Sequence, residues 1–174
     1  MSDAGATPRV RGSEVQCARM TGETRAAAMA LLGAFLRDDD HYLASSAAYG
    51  DSGPEALGRA LDLFLLHPEI GFVWLAFVRA DGERTAVGAC VVCHAISTSK
   101  GALVAKLDDV TIDAGWQGCG VGTAMLDALV AHLRAGGITR IDTACHRENA
   151  GAWRFYERHG FRPLDEERIA RVIG

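Results

Sequence analysis

Two periods of apolar spacing run through the chain. At 72–78 the apolar residues are closely spaced and largely aromatic or β-branched, 86–96 is a second apolar run, and Asp81-Gly82 between them is a turn signal, which predicts a β-hairpin. Leu57, Leu61, Phe64 and Leu65 recur at helical spacing instead, so 55–66 reads as a helix. It is entered through Asp51-Ser52-Gly53-Pro54, with Pro at the first helical position, and stopped by His67-Pro68. Met29, Leu32 and Leu36 predict an earlier helix over 21–36, with Thr21 as N-cap and Glu23 in the first turn, where its charge suits the helix dipole. Val15, Cys17 and Ala18 place a short strand at 14–20 ahead of it.

The next strand breaks its own rhythm. Leu103, Ala105 and Leu107 share one face under period-two alternation, but beyond Asp108-Asp109 the apolar residues are Val110 and Ile112, on the opposite phase. A slip of one residue inside a strand is what a β-bulge produces, and bulges sit where strand edges splay and backbone groups are freed. After a glycine-rich turn, Val121, Ala124, Met125, Ala128, Leu129 and Leu133 form the apolar stripe of a helix over 123–134, closed by Gly136-Gly137. A strand at 138–145 follows, parallel to the bulged one if the helix is a crossover. A helix at 149–159 capped by Gly160 and two short strands at 161–164 and 168–173 complete the order β-α-α-β-β-β-α-β-α-β-β. That order predicts an α/β fold, a central mixed sheet with helices on both faces, as a single domain over 14–174 behind a small, polar tail at 1–13 expected to be flexible.

Composition narrows the function classes. With 49% hydrophobic and 23% charged residues, the chain reads as an ordinary globular protein. No apolar run approaches the roughly 20 residues that span a bilayer, and Met1-Ser2-Asp3 opens without a signal-peptide pattern, so a cytoplasmic protein without membrane contact is expected. A net charge of −4 argues against nucleic acid as partner and suits a cationic amine. Five cysteines, an odd number, point to reduced thiols. Cys90 and Cys93 form a CxxC, but in a strand residues three apart face opposite ways. His41 stands beside Asp38-Asp39-Asp40 in what reads as a solvated acidic loop, so no metal is expected.

The glycine turn carries the chemistry. Gly118, Gly120 and Gly122 leave the backbone uncovered where a helix begins, a geometry that binds anions through unpaired N–H donors and a partial positive charge. A P-loop requires Lys and then Ser or Thr after its last Gly, and Gly122 is followed by Thr123-Ala124. A dinucleotide fingerprint separates its second and third glycines by two residues, whereas Gly120 and Gly122 are separated by one; Asp142, at about the expected 20-residue distance, keeps that reading open. Gln117-x-x-Gly120-x-Gly122 fits Gln/Arg-x-x-Gly-x-Gly without adjustment and resembles the coenzyme A pyrophosphate loop of the GNAT N-acetyltransferases. Further along, Asn149, Ala152, Phe155-Tyr156 and Gly160-Phe161 are similar to that family's Asn-x-x-Ala-x-x-Phe-Tyr-x-x-x-Gly-Phe. GNAT proteins also resemble this chain in having a fourth strand that bulges away from the fifth.

The resemblance implies acetyl-coenzyme A as co-substrate and an acyltransferase acting by direct transfer to a primary amine. It assigns the backbone N–H groups of Gly118, Gly120, Gly122 and Thr123 to the pyrophosphate, with Gln117 near it; many members have Arg there, so one charge-assisted contact is given up. Val110 and Ile112 would pair with the pantetheine arm, Ile112 foremost, with Thr111, Cys119, Val121 and Ala152 completing the coenzyme set and Asn149 bonding the arm or a water. Tyr156 would be the general acid for the departing thiolate; its plain alternative is a packed aromatic beside Phe155, as N-capping is for Asn149. Asp108, then Asp109, are candidates for base or amine anchor, or else solvate a strand edge or hold the bulge. Cys119 at a helix start needs no nucleophilic role in direct transfer, and Trp116 reads as cover for the loop. Asp38, Asp39 and Tyr42, with Asp40 and His41, would rim the acceptor site, favouring a small-molecule amine over a protein amino group. The resemblance further implies a homodimer, the C-terminal strands pairing across a subunit boundary. A coenzyme A-binding module that has lost catalysis is the alternative from another class.

Overall fold

The segment 71–78 is buried at every position, because the sheet it belongs to is covered on both faces. The computed structural model describes residues 14–39, 53–80, 82–164 and 171. Five strands, β1 (Gln16–Arg19), β2 (Gly71–Ala80), β3 (Glu83–Ser97), β4 (Ala102–Ile112) and β5 (Ile141–Thr143), lie side by side in chain order. β1 to β4 pair antiparallel with one another, and β5 runs parallel to β4. The expected hairpin is β2–β3, and the expected crossover is α3 (Val121–Ala135) between β4 and β5.

The alternation along β2 divides the core in two. Phe72, Trp74, Ala76 and Val78 pack with Val121, Met125, Leu126, Leu129 and Leu133 of α3. Val73, Leu75 and Phe77 face the other way, onto Ala28 and Leu32 of α1 (Arg25–Asp38) and Leu57 and Leu61 of α2 (Pro54–Leu66). Arg25 ties these two helices together, its Nε 2.7 Å from Asp62 Oδ1 and its Nη2 donating to Gly58 O at 2.9 Å. Pro54 is the first helical residue of α2, as its fixed φ and missing N–H favour. No helix among the described residues is long and apolar enough to cross a membrane.

Several expected boundaries move. α1 starts at Arg25 with Thr24, not Thr21, at its N-cap, because residues 21–24 close a turn of their own: Thr21 N–H donates to Thr24 Oγ1 at 2.8 Å and Thr24 N–H to Thr21 O at 3.1 Å. Glu23 therefore precedes the helix and α1 has no acid in its first turn. β5 shrinks from 138–145 to three residues, since Ile138 N–H bonds Leu133 O at 3.0 Å to close α3. The last helix, α4, is Ala150–Arg158. The strand expected at 161–164 has no ladder among the described residues: Phe161 N–H is taken by Tyr156 O at 3.0 Å, and Pro163 has no N–H to give. Apart from Arg171, which stands outside any strand, the segment 168–173 lies outside the described residues, as do residues 1–13 and 40–52.

Candidate active site

The phase slip read from the sequence is a bulge. Across β3 and β4 the register steps from Val91↔Asp108 to Ala89↔Thr111, so Cys90 alone opposes both Asp109 and Val110. Asp109 absorbs the extra residue at φ 48°, and among the described residues it is the single non-glycine with positive φ. On the other edge, β4 pairs with β5 only from Ala105↔Ile141 to Leu107↔Thr143. β4 then runs on to Ile112 without a β5 partner, and Thr143 Oγ1 marks the fork by donating to Leu107 O at 3.2 Å. Beyond Leu107 the two strands part, and 108–112 of β4 has no β5 ladder.

The glycine turn stands at the mouth of that gap. Asp113 Oδ1 accepts from Gly115 N–H at 2.9 Å and starts a one-turn 3-10 segment, Ala114–Trp116, which turns the chain away from β4. Gly118 (φ 74°) and Gly120 (φ 91°) then take left-handed conformations, Gly120 as the N-cap of α3. Ala124 N–H is the first to bond back into the helix, to Gly120 O at 3.0 Å. The N–H groups of Val121, Gly122 and Thr123 are therefore the orphan donors of the helix start. Gly122 faces α4: a Cβ there would sit 3.4 Å from Phe155 Cε2, at contact distance.

α4 supplies the far wall. Asn149 is its N-cap, Oδ1 accepting from Ala152 N–H at 2.9 Å, so the capping alternative for Asn149 is realised. Tyr156 is buried between Phe155 and Phe161, with ring centroids at 5.4 and 5.2 Å. Burial pushes its phenol up to about 12, the hydrogen bond with Thr143 pulls the other way, and Cys90, Cys145 and the Asp108 carboxylate add to the rise. Those partners locate the hydroxyl at the fork of β4 and β5. Thr143 was not legible as a site residue, because nothing in its local sequence tells where β5 stops pairing.

Other expected residues are placed as follows. Gln117 turns its amide back, Nε2 donating to Ile112 O at 3.1 Å, and so ties the turn to the strand end. Asp108 is held by Lys106, Nζ to Oδ2 at 2.8 Å. Cys119 is buried, its thiol directed at Gln117 O, and Trp116 packs against the α3-side core. Cys90 joins the α3-side core while Cys93 packs against the other, the opposite facings expected of residues three apart. Burial, then the charges of Asp109 and Asp108, push the Cys90 thiol up, which keeps it neutral. Asp38 ends α1 beside Arg37, at 3.0 Å, and Asp39 follows as its C-cap. Tyr42, Asp40 and His41 lie outside the described residues.

The chain is similar to known proteins. A family model described as acetyltransferase (GNAT) family matches residues 35–161. A mycothiol acetyltransferase from Beutenbergia cavernae is 32% identical over 113 residues, a match covering 58% of this chain and 38% of that protein. The chain thus spans under two-fifths of the length of that curated relative. Among solved structures, a possible acetyltransferase from Clostridium difficile 630 superposes with a TM-score of 0.74 at 11% identity, covering 91% of this chain and 97% of the other. AAC(6')-Iy, in complex with the bisubstrate analog CoA-S-monomethyl-acetylneamine, does so with a TM-score of 0.68 at 13% identity, over 92% and 99%. At such identities the likeness to the solved structures is one of fold.

Proposed function

The chain belongs to the acetyltransferase (GNAT) family, and on that footing we propose that it transfers the acetyl group of acetyl-coenzyme A directly to the primary amine of a small molecule. The observation that carries this reading is the fork of β4 and β5, with a glycine-turned helix start at its mouth and the Tyr156 phenol at its crotch. The donor set fits the coenzyme: orphan N–H groups at the start of α3 suit a pyrophosphate, and the open edge of β4 over Val110, Thr111 and Ile112 suits an amide-bearing arm. The coenzyme supplies an activated acetyl thioester. A carbonyl oxygen has two acceptor sites, so Ile112 O can keep the Gln117 amide and still accept from the arm.

In the transfer, the amine nitrogen forms a bond to the acetyl carbon, the carbon–sulfur bond breaks, and one proton leaves the nitrogen while one reaches the sulfur. Tyr156 is the donor at the sulfur. Asp108, with Asp109 behind it on the bulge, accepts from or anchors the amine, and the backbone edge beside the bulge bonds the developing oxyanion. The acid rim of Asp38, Asp39 and Tyr42 belongs to the acceptor side of the same reading.

Two measurements test it. Acetyl-coenzyme A, but not NAD, is expected to raise the melting temperature, and stabilisation by NAD alone would remove the transferase reading. Asp108→Asn is expected to displace the acidic limb of the pH–rate profile and to lower turnover by about tenfold to a hundredfold. An unmoved limb would pass the base to water or Asp109. Binding of acetyl-coenzyme A without thiol release against any amine would leave a coenzyme-binding module.

A further inference from the structure

Asp108 shares its face of β4 with Lys106, and the two close an ion pair whose side chains remain 28% and 39% exposed. Lys106 lies opposite Cys93 and Asp108 opposite Val91, which puts both charges on the face that α1 covers, beside the fork. Asp142 on β5, in register with Lys106, is held by Arg140 just before the strand, whose Nε stands 3.0 Å from its Oδ1. Lys106 is thus a cation in direct contact with the carboxylate proposed to meet the amine, at 2.8 Å. A pair this open is worth little to the fold, because water competes for both partners and two side chains are immobilised.

Resting on the transferase reading above, we infer that Lys106 is a specificity-determining residue and that the acceptor is an amine carrying a nearby carboxylate, of the α-amino-acid class. Free, the Lys106 ammonium and Asp108 carboxylate neutralise one another. An aminocarboxylate presents the same two charges in complementary order: its ammonium takes Asp108 and its carboxylate takes Lys106, so neither protein charge is left unpaired as water is expelled. An amine without a carboxylate would take Asp108 from Lys106, its partner at 2.8 Å, and offer that ammonium nothing in return, which discriminates against it. The lysine stem has four rotatable bonds and a compact charge, so it can swing aside to admit the substrate without a backbone change.

The experiment pairs each amino acid with its decarboxylated amine, lysine against 1,5-diaminopentane and phenylalanine against phenethylamine, and reads thiol release from acetyl-coenzyme A. The native protein is expected to favour the amino acid by about tenfold or more in kcat/KM, the loss expected when a charged hydrogen bond is absent. Lys106→Met keeps the aliphatic stem and is expected to bring that ratio close to one, mainly through KM; Lys106→Arg should retain it, and Lys106→Glu should invert it. A native preference for the decarboxylated amines, or a ratio unchanged in Lys106→Met, overturns the inference. So does a protein that binds acetyl-coenzyme A and turns over no amino acid. Failure to bind acetyl-coenzyme A at all is separate, and removes the transferase reading itself.

Discussion

Tyr156→Phe is expected to lower kcat by about a hundredfold while leaving acetyl-coenzyme A affinity close to native, the pattern of a group that acts only in the transition state. An ordinary tyrosine loses its proton near pH 10, and burial holds that of Tyr156 to about 12. The phenol is thus protonated throughout the working range. A free thiol titrates about three pH units below that, so outright transfer from phenol to thiolate is uphill. The contribution is then a hydrogen bond to the sulfur as its charge develops, followed by proton delivery that the solvent replaces. Rate profiles of the native and Phe proteins should accordingly run parallel between pH 6 and 10, with no basic limb lost on substitution. A Phe variant at native turnover, or one whose profile loses an inflection in that range, removes the assignment.

The same titration has a consequence for stability, with a fixed sign. The folded-state value lies above the unfolded one, so the folded chain holds the proton longer as pH rises. Its contribution is fully present below about pH 10 and is lost as pH climbs towards about 12. The Phe variant lacks that component of alkaline sensitivity. Because it gives up only one partner of Thr143, its stability at neutral pH should fall by no more than about 1 kcal/mol.

What could be read ahead of the structure was whatever a short local pattern fixes. The slip from Leu107 to Val110 announced the bulge because strand alternation has no slack, and the register places the extra residue at Asp109-Val110. The spacing of the glycines excluded a P-loop and counted against a dinucleotide loop, a reading that Asp142 kept open. The distal motif placed Asn149 at a cap and Tyr156 on the inward side of α4. What was illegible depends on contacts that residue type and spacing do not specify. Thr143 joins the site because β5 stops there, and β5 stops because β4 leaves it. Thr21 and Thr24 are equally good caps by type, and the turn between them decided in favour of Thr24. Leu126, outside the stripe read from the spacing, is buried with Val121, Met125, Leu129 and Leu133 against one face of the sheet.

Gly120→Val tests the other wall of the site, and it is expected to weaken acetyl-coenzyme A binding by about a hundredfold. Gly120 sits at φ 91° as the N-cap of α3, where a β-branched residue is a genuine outlier costing about 1–2 kcal/mol. The chain can relieve that strain only by turning residue 120 back to negative φ, which rotates the peptide planes that lead into the helix. The N–H groups of Val121, Gly122 and Thr123 then no longer converge, and each charge-assisted bond lost to a phosphate oxygen costs about 1.5–3 kcal/mol. Saturating coenzyme should restore much of the turnover, because Tyr156 and the β4–β5 fork stand on other elements. Strain alone is controlled for by Gly137→Val at the opposite end of the same helix, where φ is 80° and an added Cβ would meet nothing within 4 Å. That variant should lose similar stability and keep its affinity. Equal losses of affinity in the two variants would mean that α3 transmits general destabilisation, and a folded Gly120→Val protein with native affinity would move the pyrophosphate away from the glycine turn.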